Sequence, residues 1–264
     1  MSLFFCYTCC MYKSFTAEQY KKHLGFAEDY TIDGVLSYGT LYEDKVIGDL
    51  KACLSEMGLE YELKTLTNPF LRFARELNIG DKRFWFMIGY GGAWLSEYLH
   101  WACLFGSQKN IFVGSCGGLK VGMSAGDFLV PTSSFGEESS ARIYNRDSPL
   151  QFPDKKLTKS IKSRMGDGIK IWEGPVVTCQ AMIGETSEDV KGWSNNGYFG
   201  VEMETSTVFA VSSHFNVPSA AIMYVGDNLI ENHSTLSEEF EGQSYIRESN
   251  RRKQITVAIE ELLR

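Results

Sequence analysis

The sequence predicts an α/β fold, in which a single domain holds a central mixed sheet flanked by helices. Apolar runs of strand length alternate along the chain with segments that have the helical period. Most of these runs are continuously apolar, which is typical of strands that are covered on both faces. The chain has 264 residues and is 44% hydrophobic, which is enough to bury one sizeable core.

Six strands and five helices are predicted. The strands are expected at 33–39, 83–91, 110–118, 127–134, 170–179 and 219–227. The helices are expected at 43–58, 93–106, 155–166, 203–215 and 250–264. Because no repeat, low-complexity tract or Pro/Gly/Ser-rich linker divides the chain, we expect residues 1–264 to form one domain, with 1–30 as an N-terminal extension.

Charge and hydropathy exclude several classes of protein. The formal net charge is -7, and the largest basic cluster is 247–253, so we expect no nucleic-acid partner. No apolar run reaches the roughly 18 residues of a membrane span. Residues 1–13 lack the basic segment and the cleavage site of a signal peptide, so the expected location is cytoplasmic.

The cysteines do not predict a disulfide framework or a metal site. There are seven, an odd number, and they are scattered through predicted strands and helices, which favours reduced thiols. Cys6, Cys9 and Cys10 are spaced like part of a zinc knuckle, but no second pair of ligands follows them. We therefore expect no metal, and the role of this segment stays open.

Three predicted strands end in glycine-rich or carboxylate-bearing turns: "IGYGG" at 88–92, "VGSCGG" at 113–118 and "VGD" at 225–227. In an α/β sheet the ligand site lies at the carboxyl ends of the strands. Glycine lets a ligand approach the main-chain N–H groups there, although it also serves ordinary tight turns. Neither the dinucleotide fingerprint nor the Walker pattern is present.

Two carboxylates, Glu202 and Glu204, lie in the otherwise apolar run "GYFGVEMETSTVFAV". A buried ionised carboxylate needs hydrogen-bond donors or a cation as partners. One of the two could cap the helix that follows, because acidic residues stabilise a helix N-terminus. Capping explains both only with strain, so a ligand-binding role is predicted for at least one.

The segments "VEMETSTVFAV" and "NVPSAAIMYVGDN" resemble the signature of the nucleoside phosphorylase and nucleosidase superfamily. This superfamily includes uridine phosphorylase, purine nucleoside phosphorylase and methylthioadenosine nucleosidase. "IGYGG", "VGSCGGLKVGMSAGDFLVP" and "TCQAMIGET" also resemble its motifs, in the family's order, and together they cover most of 85–230. The resemblance implies the fold of that superfamily, and it implies the substrate less specifically.

The resemblance assigns roles to individual residues. Glu204, with Met203 beside it, matches the residues that hold the ribose, because a carboxylate accepts hydrogen bonds from sugar hydroxyls. Asp227 matches the aspartate that protonates the purine ring in purine-cleaving members, where a protonated base leaves more easily. Its alternative role is to cap a helix. Uridine-cleaving members generally lack this aspartate, which favours a purine.

Further pocket residues follow from the same match. The predicted pocket wall comprises Glu202, Met182, Cys116 and Gly117, with core packing as the alternative for Met182. The predicted pocket for phosphate or water comprises Ser115, Gly114 and Gly91, together with Arg72 or Arg75 lent by a neighbouring subunit. His23 is a candidate to reach a neighbour's sugar, or else an ordinary surface histidine.

The chain also departs from the family pattern. Phe112 stands where phosphorolytic members usually carry an arginine, and the early phosphate motif has Glu43 but no arginine. The family as a whole favours phosphorolysis to free base and pentose 1-phosphate, whereas the missing arginines favour hydrolysis, with Glu43 as a loose candidate to orient water. A non-catalytic nucleoside-binding protein or a partner-binding domain is a further alternative. We expect no cofactor other than phosphate as co-substrate, and a homodimer or larger homo-oligomer.

Overall fold

A ten-stranded mixed sheet forms the centre of the computed structural model, which describes residues 11–231 and 244–264. The strands are β1 Gly34–Gly39, β2 Tyr61–Thr65, β3 Ala74–Ile79, β4 Lys82–Gly89, β5 Asn110–Gly118, β6 Phe128–Phe135, β7 Leu150–Gln151, β8 Ile171–Thr178, β9 Gly200–Glu202 and β10 Ser219–Asn228. The helices are α1 Ala17–Leu24, α2 Glu43–Glu56, α3 Gly92–Leu104, α4 Ala141–Tyr144, α5 Lys155–Ser163, α6 Ser187–Asn195, α7 Thr205–His214 and α8 Ser244–Leu262.

The sheet is open at one end and closed at the other. Its order is β10-β6-β8-β9-β5-β1-β4-β3-β2, and β5 also pairs with β10, so five strands close into a ring. Strands β4, β1, β5 and β10 are parallel, whereas β3 and β2 add antiparallel pairs at the open end. This confirms the predicted mixed sheet, and it brings the carboxyl ends of the parallel strands to one edge.

Apolar side chains cover the sheet on both faces. On β4, Trp85 and Met87 belong to a first core cluster, which α3 and α7 complete, whereas Phe84 and Phe86 belong to a second cluster with α2, α5 and α8. Successive side chains of a strand point to opposite faces, so a continuously apolar strand needs a helix layer on each side. The two layers therefore explain the continuous apolar runs of the sequence.

All six predicted strands and all five predicted helices are present, within a few residues at most ends. The exception is α8, which begins at Ser244 rather than at 250. The prediction missed α1, α4, α6 and the strands β2, β3, β7 and β9. Strand β2 lies at the edge of the sheet and has a polar, largely exposed sequence, so it carries no apolar run for a sequence pattern to detect.

The N-terminal part of the described chain packs on the core. Thr16 and Gln19 form a capping box at the start of α1, and the ring of Tyr20 packs 6.1 Å from that of Trp101 on α3. Residues 1–10, with Cys6, Cys9 and Cys10, lie outside the described residues. Within the described part of the chain, no helix is both long and apolar enough to cross a membrane.

Candidate active site

The predicted site residues come from turns at the carboxyl edge of the sheet. Strands β1, β4, β5 and β10 run in the same direction, so Gly39, Gly91 and Asp227 lie at or just beyond the carboxyl ends of β1, β4 and β10, whereas Gly114 lies within β5, level with the end of β1. The approach between β1 and β5 is close, because a Cβ on Gly114 would lie 3.6 Å from the carbonyl oxygen of Gly39. This edge is the location predicted for a ligand.

Glu204 is the central carboxylate of this edge. It directly precedes α7, its side chain is buried, and its Oε1 accepts the backbone N–H of Gly91 at 2.6 Å. Gly91 has φ +90°, which favours glycine and aims its N–H at the carboxylate. A Cβ on Gly39 would lie 3.0 Å from Oε2 of Glu204, so glycine is also needed there. A carboxylate has about four acceptor positions, so this one can still accept ligand hydroxyls.

Glu202 has a different set of partners. Its Oε1 accepts the hydroxyl of Thr178 at 2.5 Å, and its Oε2 accepts the backbone N–H groups of Glu204 at 2.7 Å and Thr205 at 2.6 Å. These contacts tie the end of β8 to the start of α7. Oε2 of Glu202 therefore caps the start of α7, which is the capping role considered for one of the two glutamates, and Oε1 holds the end of β8.

Burial perturbs both glutamates. Burial and the negative charge of Glu202 raise the pKa of Glu204 to about 8, although the N–H of Gly91 opposes this. Burial also raises the pKa of Glu202, but the donors from Thr178, Glu204 and Thr205 stabilise its ionised form. Fewer hydrogen-bond donors therefore oppose the raised pKa at Glu204 than at Glu202.

Asp227 lies on the other side of β5 from the two glutamates. It pairs with Gly117 across a bulge in β10, and Gly117 pairs in turn with Val201 of β9. Burial raises the pKa of the Cys116 thiol, and the charges of Glu202 and Asp227 add to this effect, so the thiol lies near both carboxylates. Asp227 is half-buried, and this position suits an acid that faces a ligand.

The neighbour of Asp227, Asn228, holds the turn that follows β10. The side-chain oxygen of Asn228 accepts the backbone N–H groups of Ile230 at 3.0 Å and Glu231 at 3.2 Å. The amide nitrogen of Asn228 donates to the carbonyl of Met123 at 2.9 Å. Asn228 thus organises the turn after β10.

The segment after β8 is hydrogen-bonded to the backbone of the Glu202–Met203 stretch. The N–H of Cys179 donates to the carbonyl of Glu202 at 2.7 Å, and the side chain of Gln180 donates to the carbonyl of Met203 at 3.4 Å. Met182 is 49% exposed and accepts the hydroxyl of Tyr90 at 3.3 Å, so it is not a core residue. Met182 and Tyr90 lie together at the mouth of the site.

Glu185 and Tyr90 were not among the predicted site residues. Burial and the charges of Asp227 and Asp189 raise the pKa of Glu185 to about 7, while a hydrogen bond from the Cys179 thiol opposes the shift. Burial, Glu204 and Glu185 raise the pKa of Tyr90. The available signal was an acidic residue directly after the uncharged segment "TCQAMIG". Among the described residues, no cluster of three or more His, Cys, Asp or Glu is arranged to hold a metal ion.

The chain has relatives among known proteins. Residues 74–261 match the family model of the phosphorylase superfamily. The chain belongs to this superfamily. Guanosine phosphorylase of Halorubrum lacusprofundi is 31% identical over 126 residues, which are 47% of this chain and 52% of that protein. Purine nucleoside phosphorylase DeoD-type of Thermoanaerobacter sp. is 27% identical over 154 residues, which are 57% of this chain and 66% of that protein.

The matched segments thus span half to two thirds of these curated relatives. Solved structures of the superfamily share the fold over most of the chain. Uridine phosphorylase from Vibrio fischeri has a TM-score of 0.73 at 18% identity, with 91% of this chain and 94% of that chain covered. The 5'-methylthioadenosine/S-adenosylhomocysteine nucleosidase from Neisseria meningitidis has a TM-score of 0.66 at 19% identity, with 87% and 99% covered. These likenesses establish the fold.

An aromatic ring, that of Phe112, occupies part of the region predicted for phosphate or water. Phe112 is buried, and the tip of its ring would lie 3.0 Å from a Cβ on Gly39 and 3.3 Å from a Cβ on Gly114. The ring therefore lies over β1 and β5, on the same face as the carboxyl of Glu204. The hydroxyl of Ser115 instead contacts the side chain of Tyr224, which belongs to the second core cluster.

The two arginines considered for phosphate are placed differently from each other. Arg75 forms an ion pair with Glu43 at the start of α2, and it also donates to the carbonyl of Arg72 at 2.8 Å. Arg72 is exposed, and its guanidinium stacks 4.9 Å from the centre of the Phe73 ring.

Gly117 has no room for a side chain, because Leu229 would lie 2.7 Å from its Cβ.

Proposed function

We propose that this protein cleaves the N-glycosidic bond of a purine-type nucleoside. The observation that carries the proposal is Glu204, a buried carboxylate at the carboxyl edge of the sheet that meets the Gly91 N–H and has further acceptor positions. Two sugar hydroxyls would satisfy these positions. A purine is favoured because Asp227 is present and because the relatives named above act, by their names, on guanosine and purine nucleosides.

The chemistry follows from the two acidic side chains. When the C1′–N9 bond breaks, the bonding electrons pass to the base, and Asp227 donates a proton to a ring nitrogen so that a neutral base leaves. The sugar carbon becomes electron-poor, and the ionised form of Glu204 stabilises that positive charge in a site with little water. A nucleophile then adds to C1′ and completes the reaction.

The nucleophile distinguishes two forms of the proposal. Phosphorolysis is supported by the names of the relatives, which are phosphorylases. Hydrolysis is supported by this chain's own residues: the Phe112 ring lies beside Gly114, and Arg75 is paired with Glu43. A phosphate dianion needs positive charge or several donors, whereas water does not. Water is therefore the nucleophile that the geometry fits better.

The test is base release from a panel of nucleosides, with and without phosphate. Adenosine, inosine, guanosine, 5'-methylthioadenosine and uridine are each incubated with the protein, and both base and sugar products are measured. Free pentose without phosphate identifies hydrolysis, and pentose 1-phosphate that requires phosphate identifies phosphorolysis. Calorimetric binding of a nucleoside without base release would instead identify a non-catalytic binding protein.

Variants connect the activity to the site. Asp227→Asn should reduce purine release about 100-fold or more, which is the usual scale of general-acid catalysis. Asp167→Asn is the matched control, because Asp167 lies in an exposed turn. If the Asp227 variant folds and keeps full activity, the proposed acid is wrong.

The proposal includes a homodimer or larger homo-oligomer. Arg72 is exposed and stacked on Phe73, so it is available to the site of a neighbouring subunit. Sedimentation velocity of the wild-type protein and of Arg72→Ala tests this part. A monomer with full activity would contradict it.

A further inference from the structure

Thr178 has no role in the chemistry proposed above, yet its buried hydroxyl lies at a junction of four elements. Thr178 ends β8 and pairs with Glu202 of β9, and its hydroxyl donates to Oε1 of that residue at 2.5 Å. The same oxygen accepts the backbone N–H of Ser206 on α7 at 3.0 Å. It also lies 2.8 Å from the buried hydroxyl of Ser134 on β6. One hydroxyl therefore joins β6, β8, β9 and α7.

The hydrogen bonds of this junction favour an ionised Glu202. Its Oε2 already accepts two backbone N–H groups, so a proton would have to lie on Oε1. A hydroxyl has one hydrogen and two lone pairs. When Ser206 and Ser134 donate to the lone pairs of Thr178, its hydrogen points to Glu202 and every group is paired. A proton on Oε1 would instead turn that hydrogen towards Ser134, whose own hydrogen would lose its acceptor.

The same junction completes the start of α7. The first four N–H groups of a helix have no partner within it. Oε2 of Glu202 accepts the first two of these groups, and the hydroxyl of Thr178 accepts the third, from Ser206. The fourth, from Thr207, donates to the carbonyl of Glu204 at 2.9 Å. Glu204 belongs to this turn, so the direction of its side chain depends on these contacts.

The carboxyl of Glu204 has little freedom to shift. Its Oε1 accepts the N–H of Gly91 at 2.6 Å, and a Cβ on Gly39 would lie 3.0 Å from its Oε2. The carboxyl is thus held between the turns that follow β4 and β1. Because a misplacement of about 1 Å at a reacting centre costs about 100-fold in rate, a small change in the start of α7 would be sufficient to reduce activity.

We propose that Thr178 is a positioning residue, which acts through Glu202 and the start of α7 to hold Glu204 in its productive orientation. The proposal rests on the proposed function for the role of Glu204 in the reaction. Burial raises the pKa of Glu202, and the Thr178 hydroxyl is the largest of the contacts that oppose this rise. In this view Thr178 supports the reaction without touching the substrate.

Three variants separate the hydroxyl from its surroundings. Thr178→Val keeps the shape of the side chain and removes the hydroxyl, whereas Thr178→Ser keeps the hydroxyl. Ser212→Ala is the matched control, because it removes a buried hydroxyl near the other end of α7 that accepts the amide of Asn110 at 2.9 Å. Both Thr178→Val and Ser212→Ala should unfold at a lower urea concentration than the wild type, since each leaves a buried donor unpaired.

The experiment measures kcat and KM separately for each protein, at a temperature where circular dichroism shows that it is folded. In Thr178→Val, kcat should fall about 10- to 100-fold. KM should change less than about threefold, because the charge of Glu204 acts more strongly on the positive transition state than on the neutral nucleoside. Thr178→Ser and Ser212→Ala should keep the wild-type kcat within about threefold.

The positioning role is overturned if folded Thr178→Val keeps the wild-type kcat, or if Thr178→Ser loses as much activity as Thr178→Val. It is also overturned if Ser212→Ala loses as much, since the loss would then follow stability alone.

Calorimetric binding of inosine, adenosine and uridine separates this proposal from the proposed function. If the wild type binds a nucleoside without cleaving it, and only Thr178→Val weakens binding, by about tenfold or more, the proposed function is wrong and the positioning role stands. If it binds one without cleavage and Thr178→Val binds equally well, both are overturned. If the wild type neither binds nor cleaves any nucleoside, both are overturned as well.

Discussion

Replacing Glu204 by glutamine should raise the stability of the protein and at the same time remove most of its activity. Glutamine keeps the size of the side chain and an oxygen that can accept the Gly91 N–H, but it carries no charge. The wild-type carboxyl is buried beside Glu202, and this raises its pKa to about 8 from an ordinary 4.5. Ionisation of Glu204 therefore costs folding free energy.

The magnitude follows from this pKa difference. A carboxyl with a raised pKa binds its proton more tightly in the folded state, so stability is lost as the pH rises from about 4.5 to about 8. Each tenfold change in proton affinity is worth about 1.4 kcal/mol, which gives a cost of up to about 3 kcal/mol at pH 7 and less than about 1 kcal/mol at pH 5. Glutamine does not titrate, so the variant avoids this cost.

Urea unfolding at pH 5, 7 and 8.5 measures the difference. The free energy of unfolding of Glu204→Gln should exceed that of the wild type by about 1–3 kcal/mol at pH 7, and the gap should nearly vanish at pH 5. The kcat/KM for nucleoside cleavage should fall about 100- to 1000-fold, the scale seen when one electrostatic group of a transition state is removed. Glu60→Gln is the control, because Glu60 is exposed in the loop before β2.

Two results would refute this reasoning. Equal stability of wild type and variant at all three pH values would mean that Glu204 is not held in a costly buried state. Undiminished kcat/KM would mean that its charge has no role in the reaction. A gain in stability without loss of activity would show that burial of the Glu204 charge costs stability but that the charge has no role in the reaction.

Three other perturbations test the same site. Glu202→Ala should lower the free energy of unfolding by roughly 2–6 kcal/mol in urea titrations, because it leaves two buried N–H donors at the start of α7 unpaired; a loss below about 1 kcal/mol contradicts the capping role. The kcat/KM of the wild type should rise with pH towards about 8 as Glu204 ionises, and a flat pH profile would show that the ionised form is not required. Gly39→Ala should reduce kcat/KM, because the new Cβ would lie 3.0 Å from Oε2 of Glu204. Gly48→Ala is the control, because a Cβ there would meet nothing within 4 Å; it should leave activity unchanged and raise the free energy of unfolding by about 1 kcal/mol. Equal activities of the two alanine variants would show that Glu204 tolerates the contact.

The two glutamates have opposite effects on the stability of the protein. Glu202 is satisfied by protein donors and stabilises the junction between β8, β9 and α7. Glu204 is buried with fewer donors, an arrangement that costs stability, and in the proposed function sugar hydroxyls would fill its open acceptor positions. Active sites often retain such strain, and stabilising substitutions there tend to reduce activity.

Several features of this protein follow from the sequence alone. The continuous apolar runs identified the parallel strands β1, β4, β5 and β10, and the helical periods identified the main helices. Both patterns are local, because buried side chains recur at a fixed spacing along a strand or a helix. The motif resemblance singled out Glu204 and Asp227. It also located Phe112 in place of an arginine, which is the main reason that hydrolysis competes with phosphorolysis.

Other features were decided only by the tertiary structure. Strands β2, β3 and β9 lack a clear apolar pattern of their own. They form because their backbone groups hydrogen-bond to a neighbouring strand: β2 to β3, β3 to β4, and β9 to β5. Which glutamate caps α7, and which is left with open acceptor positions, depends on where Gly91, Thr178 and Thr205 place their donors. Burial and the charge of Asp227, 42 residues away along the chain, raise the pKa of Glu185. Hydrogen bonds and charge repulsion act between groups that are close in space, and sequence periodicity carries no record of that proximity.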